Sequence, residues 1–363
     1  MSTTVLAVIG AGGAGLVTFG TVVGIRKLIR MGQFAYHNSR LSTVGNPYVM
    51  KDEVLPLVEL GSPDSLSKTV QSDLGPSTLP GSFRELDANV MKGFHSIVGD
   101  MVNSSPPSVA PFVKAYISRL EGEELKRLLR LVGNRKEPLF PVGRITEDVE
   151  RQMLTSKDLN TAVEVLEGLS IAGRISSVMR SEDGIDLHVL DEAIDRHSLG
   201  VMESMEGLNF SSRRGARAFF DLLCDRFNVH YIIRSKNSGM ERETVIKGLY
   251  ANGGILGRPT LEQMVDSAGR REALSVLSGT YLEPFIKEID QSDLTSLETA
   301  LDRMMLEGVK GLSHTYGSTI GPTIRFLFSK EMELRNLRII FQGAFSGWDT
   351  ERTRKLLVLE EGS

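Results

Sequence analysis

The sequence predicts an all-α protein made of three pseudo-repeated helical units, preceded by an N-terminal hydrophobic helix. Three observations carry that prediction. Apolar residues recur at helical spacing over long stretches, whereas strand signals are few. Leucine, methionine and alanine are frequent while aromatic residues make up only 6% of the chain, a balance that favours helix over sheet. Three helical stretches also resemble one another at spacings of 104 and 108 residues.

The first element is apolar. Thr3 to Ile25 holds 23 residues without a charge. As a helix it would be about 35 Å long, enough to cross a hydrocarbon core of about 30 Å. Arg26, Lys27 and Arg30 follow at once, which by the positive-inside rule places the rest of the chain in the cytoplasm. MSTT, before the run, carries no charged side chain, so a retained anchor fits better than a cleaved leader. A start at Met31, with the leader untranslated or disordered, is the competing reading. Gly10, Gly12 and Gly15 also satisfy G-x-G-x-x-G, the spacing of a dinucleotide-binding loop. That loop needs an acidic residue roughly 20 positions on, and none occurs before Asp52. Its helix would have no water-facing side, because Leu16 to Ile25 is entirely apolar, Gly or Thr.

Helices are predicted over 65–74, 82–102, 111–131, 146–154, 158–169, 188–199, 213–235, 260–268, 272–277, 294–315 and 323–342, separated by Gly/Pro/Asn breakers such as Gly75-Pro76 and Asn252-Gly253-Gly254. Thr146 and Thr260 supply helix starts with acidic residues in the first turn. The similar stretches are FVKAYISRLEGEELKRLLRLVGNR from Phe112, RAFFDLLCDRFNVHYIIRSKNSG from Arg217 and IRFLFSKEMELRNLRIIFQGAFSG from Ile324. Aligning Glu124, Asn228 and Asn336 matches Leu128 with Ile232 and Ile340, and Arg130 with Arg234 and Gln342. Gly143-Arg144 and Gly257-Arg258, each followed by a helix, form a second echo 114 residues apart. The boundaries that follow are a leader, 1–32, and three helical units, 33–142, 143–256 and 257–363.

Charge and chemistry narrow the function. The chain has 42 basic and 46 acidic residues, and all three basic residues of the leader lie outside the body, which therefore has no electrostatic footprint for nucleic acid. Cys224 is the only cysteine, so an internal disulfide and a cysteine-built zinc site are both excluded; on its apolar helix it reads as a buried structural thiol. None of the six histidines, at 37, 95, 188, 197, 230 and 314, has another histidine three or four residues away. His188 and His197, near Asp186, Asp191 and Asp195, read as part of a solvated helix face. No Walker A sequence is present. The expectation is a protein without catalytic, cofactor or metal residues and without a small-molecule substrate. Glu331 is placed to pair with Arg335 at i, i+4, and Asn336 and Arg338, unfavourable or unexplained by propensity, are expected to tie their helix to a neighbour. Trp348 is expected to pack on the last unit.

The stretch TIGPTIRFLFSKEMELRNLRIIFQGAFSG, Thr319 to Gly347, resembles the C-terminal motif of the C subunit of archaeal-type (A-type/V-type) rotary ATPases, the counterpart of the d subunit of eukaryotic V-type ATPases. Lys330, Glu331, Glu333, Asn336, Leu337, Arg338 and Ile340 meet that motif after a Gly-Pro opening, and FAYHNSRLSTV from Phe34 is similar to the family's usual beginning. The resemblance covers roughly Phe34 to Gly347. The leader, Glu124 in place of Asn, and Gln342 in place of Arg depart from it or from the repeat.

The resemblance implies a funnel-like, non-catalytic coupling subunit on the cytoplasmic face of the membrane. Its partners would be the central-stalk subunits and the proteolipid rotor ring of a proton- or sodium-translocating machine. If the leader is a membrane helix, it would plug or line the central opening of that ring. A membrane-anchored helical scaffold unrelated to ATPases is the alternative, and a dinucleotide-binding oxidoreductase a more distant one.

Overall fold

The order of the helices follows the periodicity of the sequence. The structure, a computed structural model, describes residues 34–70, 82–181, 187–205, 207–287 and 294–360, together with Gly32 and Ile289. The uncharged leader and its glycine motif lie outside the described residues. No helix among the described residues is long and apolar enough to cross a membrane.

A helix over 34–44 (α1) and a 3-10 turn, Pro47–Val49, precede α2 (Lys51–Leu60) and α3 (Pro63–Thr69). Then come α4 (Phe83–Ser104), α5 (Ala110–Arg130), α6 (Glu147–Thr155), α7 (Leu159–Glu164), α8 (Ala172–Ser181) and α9 (Leu187–Ser204). The remainder is α10 (Phe210–Ser238), α11 (Arg242–Gly248), α12 (Arg258–Asp266), α13 (Arg270–Ser275), α14 (Glu283–Ile286), α15 (Leu294–Thr315), α16 (Gly321–Ser346) and α17 (Thr350–Leu356). Among the described residues there is no strand, only isolated bridges between Met50 and Glu360 and between Val142 and Ile145.

Starts are set by caps. Ser82, Thr146, Asp158 and Asn209 each accept a backbone N–H from the first turn of the helix that follows. Thr260 does not start its helix: α12 opens two residues earlier behind Gly257, because Pro259 sits in the first turn, where no N–H is required. The helix predicted at 158–169 stops at Glu164 and continues as turns.

Six long helices make the body. α4 packs on α5, α9 on α10 and α15 on α16, and these hairpins meet through α5 on α9, α10 on α15 and α16 on α4. At one end Phe112 of α5, Phe219 of α10 and Phe328 of α16 touch, with ring centroids 5.7 Å apart for Phe112–Phe219 and 6.3 Å for Phe219–Phe328. All three rings are buried. Shorter helices brace the outside. α6 and α12 are nine residues each, α7 and α13 six each, and both pairs begin 111 residues apart, at Glu147 and Arg258 and at Leu159 and Arg270. Met153 and Ala162 in one pair with Leu166 just after it, and Met264 and Ala273 in the other with Leu277 just after it, are fully buried at that same offset.

Where loops return to the inner helices, buried polar side chains take over from water. Asn228 accepts from the backbone N–H of Tyr250 at 2.8 Å and donates to its carbonyl at 3.2 Å. Asn336 does the same to Val358, at 2.9 and 2.8 Å, and also donates to the carbonyl of Tyr48 at 2.9 Å. Glu124, aligned with these two in sequence, holds no such backbone; it is bound by Arg127. In α5 the bracing carboxylate is Glu121, which accepts from the N–H of Arg144 at 2.7 Å, and in α10 Asp225 accepts from Ile255 and Leu256 at 2.8 and 3.1 Å. Each carboxylate presses on a left-handed glycine. A Cβ on Gly143 (φ +56) would lie 2.2 Å from Glu121 Oε1, and one on Gly254 (φ +114) 2.4 Å from Asp225 Oδ1. The counterpart of Gly143 is therefore Gly254. The Gly257 of the sequence echo has an ordinary φ of −67 and caps α12.

Glu150 of α6 is fully buried and accepts from the backbone N–H of Phe140 at 2.8 Å. The nearest guanidinium, on Arg127, is spent on Glu124 at 2.9 Å. Burial and the charge of Glu124 push the Glu150 carboxyl up to about 8.

Two outcomes follow. Asn336→Leu leaves three backbone groups unpaired and Asn228→Leu two, so in chemical denaturation the first should destabilise by roughly 3–5 kcal/mol and the second by roughly 2–3 kcal/mol. The folded state favours protonated Glu150, so its contribution is complete below the ordinary carboxylate range and is lost as pH rises through about 8. Thermal melts at pH 6 and pH 9 should show wild type weakening with pH and Glu150→Gln weakening much less; equal slopes would refute this.

Candidate functional site

The inner helices α5, α10 and α16 are apolar where they pack but carry charged stripes at helical spacing. On α5 the stripe is Arg119, Glu123, Lys126 and Arg130; on α10 it is Arg226, His230 and Arg234; on α16 it is Glu331, Arg335 and Arg338. Positions three or four apart share one side of a helix, so each stripe faces one direction. All three line a central cavity beyond the aromatic cluster. It has two adjoining chambers of about 390 and 270 Å³, which share Arg119, Glu123, Leu223 and Arg226.

Ion pairs join the walls. Arg119 of α5 and the hydroxyl of the buried Tyr116 both donate to Glu331 of α16. Arg226 of α10 pairs with Asp302 of α15 at 2.9 Å, and Arg335 of α16 donates to the same carboxylate and, at 2.8 Å, to Thr299. Lys126 bridges Glu123 at 3.0 Å and Asp195 of α9, and Arg130 takes Asp191. Burial opposes ionisation of Glu123, yet Lys126 and Arg119 hold its carboxyl down at about 2. The walls thus carry both signs in near balance, with part of each pair open to solvent.

Little here is suited to bond-making. His95 is pushed down to about 4 by burial, so its imidazole is neutral. The Cys224 thiol is fully buried and raised by burial and by Asp221 and Asp225, the opposite of an activated nucleophile. Among the described residues no group of three or more His, Cys, Asp or Glu side chains is arranged to hold a metal ion.

The seven motif residues divide. Glu331 and Arg338 reach the cavity, and Arg338 also pairs with Asp87 of α4. Lys330 and Glu333 are fully buried and pair at 3.0 Å, Asn336 is the backbone clamp, and Leu337 and Ile340 are core. The expected Glu331–Arg335 pair does not form, because each has a better-placed partner on another helix. Asn336 and Arg338 do tie α16 to its neighbours, and the Trp348 ring is covered by Arg352 at 4.3 Å. The solvated face expected around His188 is wrong for two of its carboxylates: Asp191 is buried, and both it and Asp195 face the cavity, while Asp186 lies outside the described residues. His188 itself meets Arg234, and His197 pairs with Ser170 at 3.1 Å.

Sequence reasoning missed Arg119, Glu123, Arg226 and Arg335 as one surface. The available signal was a charged stripe on a helix whose other sides are apolar. Arg130 and Arg234, matched in the repeat alignment, do line one chamber; Gln342, their third counterpart, is exposed elsewhere.

Comparison with known proteins gives the family. Residues 68–356 match the family model described as ATP synthase (C/AC39) subunit. The A-type ATP synthase C subunit of Methanocaldococcus jannaschii is 24% identical over 356 residues, covering 93% of this chain and 89% of that protein. Its namesake in Methanosarcina mazei is 22% identical over 345 residues, covering 90% and 93%. The namesake in Pyrococcus horikoshii is 29% identical over 211 residues, 56% of this chain and 55% of that protein. The chain belongs to the ATP synthase (C/AC39) subunit family.

Proposed function

We propose that this chain is the non-catalytic coupling subunit of a rotary proton- or sodium-translocating ATPase or ATP synthase, linking the central stalk to the membrane rotor ring. The observation that carries the reading is the cavity: three helices turn charged stripes inward onto one axis, and no side chain there is set up as a nucleophile. Such a surface suits a protein shaft with charges of its own. Ion pairs half-open to water exchange partners at little cost, and complementary charge fixes register more than it adds affinity.

The body is, in this reading, three related helical units forming a funnel. The 111-residue offset between the α6–α7 and α12–α13 pairs supports it, as do the two asparagine clamps, each reaching 22 residues ahead. The Phe112–Phe219–Phe328 contact closes the narrow end. Phe210, 78% exposed at the start of α10, and Tyr36, 77% exposed on α1, lie toward that end, because α1 and α10 both pack around the turn that opens α16. Exposed aromatics there, together with an uncharged segment preceding α1, favour the narrow end as the side that meets the ring at the cytoplasmic face of the membrane.

A tagged chain pulled from mildly solubilised native membranes should bring the catalytic subunits, the central-stalk pair and the proteolipid ring; recovery of the chain alone would overturn the reading. Arg130→Glu with Arg234→Glu, two substitutions at the cavity, should reduce stalk recovery at least tenfold while leaving the helical spectrum and ring recovery intact. A chain begun at Met31 tests the leader: it should extract from membranes more readily, and unchanged extraction with unchanged ring association would sink the idea that the leader anchors or plugs.

A further inference from the structure

α1 and the 3-10 turn after it are each tied to α16. His37 of α1 pairs with Thr323 at 3.0 Å, and the Tyr48 carbonyl of the turn accepts from Asn336 at 2.9 Å. Beside these ties lies a pocket of about 570 Å³ that shares no residue with the central cavity. One side of α16 forms its wall, where Pro322, Arg325, Phe326 and Ser329 recur at spacings of three and four. The facing wall comes from α1 and the turn, with Leu41 and Val49 buried. The volume is that of an ordinary small-molecule site.

The polar atoms of this pocket are short of donors. Glu360 is 3% exposed, and its backbone is fixed on both sides: the N–H donates to Val49 at 2.8 Å and the carbonyl accepts from Lys51 at 3.2 Å. Its carboxylate accepts from Arg325 at 2.8 Å through Oε2, while Oε1 is buried without a partner. Ser329 Oγ, on a side chain 1% exposed, and Asn46 Oδ1 are likewise buried and unpartnered. The hydroxyls of Ser42 and Ser313 donate to carbonyls of their own helices, on Asn38 and Lys310. Pro47 and Pro322 have no N–H to give. Among the described residues, Arg325 is the one cationic side chain of the lining, and it is committed to Glu360.

We propose that this pocket binds a small primary amine. The ammonium lies against Glu360 Oε1 and Ser329 Oγ, with Asn46 Oδ1 as the third acceptor, and the apolar body lies along Leu41, Val49 and Phe326. A primary ammonium carries three donors and no acceptor, which complements three unpartnered oxygens; a carboxylate or phosphate would bring more acceptors to a site that already has too many. The bond to Glu360 is charge-assisted and made to a carboxylate already fixed in place, so it is stronger than one from a neutral hydroxyl. The ligand class is therefore an amine on a compact aliphatic or aromatic body. The site lies apart from the cavity and does not depend on the coupling role.

Calorimetry on the full chain at neutral pH tests it, with phenethylamine as the probe and phenethyl alcohol and phenylacetate as controls. The amine should bind with a Kd on the order of 1 mM or tighter, at least tenfold more tightly than either control. Hydrogen exchange with the probe near saturation should slow at residues 41–50 and stay unchanged at 119–130, where the central cavity also offers carboxylates. Glu360→Gln, which keeps an acceptor but removes the charge, should weaken binding at least tenfold, and Ser329→Ala about threefold. Equal binding of amine and alcohol, slowing at 119–130 in place of 41–50, no binding at about 10 mM, or unchanged affinity in Glu360→Gln would each overturn the proposal. The wild-type comparisons and Ser329→Ala decide even if Glu360→Gln does not fold.

Discussion

A backbone group buried away from water must find another partner, and in this protein that demand falls on the inner helices. α5, α10 and α16 have neighbours on most sides and a polar cavity on the remaining one, so the loops that return to them lose water without gaining a sheet or a second helix to pair with. Glu121, Asp225, Asn228 and Asn336 supply the missing bonds from within otherwise apolar faces. The two glycines that receive the carboxylates follow from the same demand, since only a residue without Cβ lets a carboxylate come so close. Local propensity is overridden: asparagine is a poor mid-helix residue, yet an unclamped return loop would cost more than the helix gains from a better former.

Much of the fold was legible in the sequence because long helices repeat one signal many times. α4, α5, α10, α15 and α16 were placed to within a few residues at most ends, although α10 starts at Phe210, three residues before the expected Arg213. Short helices offered too few turns. α2 carries an internal Pro56, and α11 spans only seven residues, so neither was distinguishable from its connections. The site was harder for a different reason. A charged stripe facing a cavity is chemically the same as one facing solvent, and what separates Asp191 from a surface aspartate is the presence of Arg130 on another helix, 61 residues away. The Glu331–Arg335 expectation failed the same way: the i, i+4 geometry was available, but tertiary partners with less freedom to lose took both side chains.

The motif expected from the sequence gains a physical meaning from this division. Five of its seven residues secure α16 in the body, by a buried Lys–Glu pair, a clamp and two core side chains, and only Glu331 and Arg338 touch the cavity. The residues that would meet a partner are spread over several helices and leave no contiguous trace.

The three stripes also differ in their order of charge. α5 presents Arg, Glu, Lys and Arg; α10 presents Arg, His and Arg; α16 presents Glu, Arg and Arg. Under the proposed coupling role, a shaft seated among these helices would meet a different order of signs on each of them. On that reading angular position would be encoded in side chains, and a single charge reversal would change the preferred seating without changing the shape of the seat.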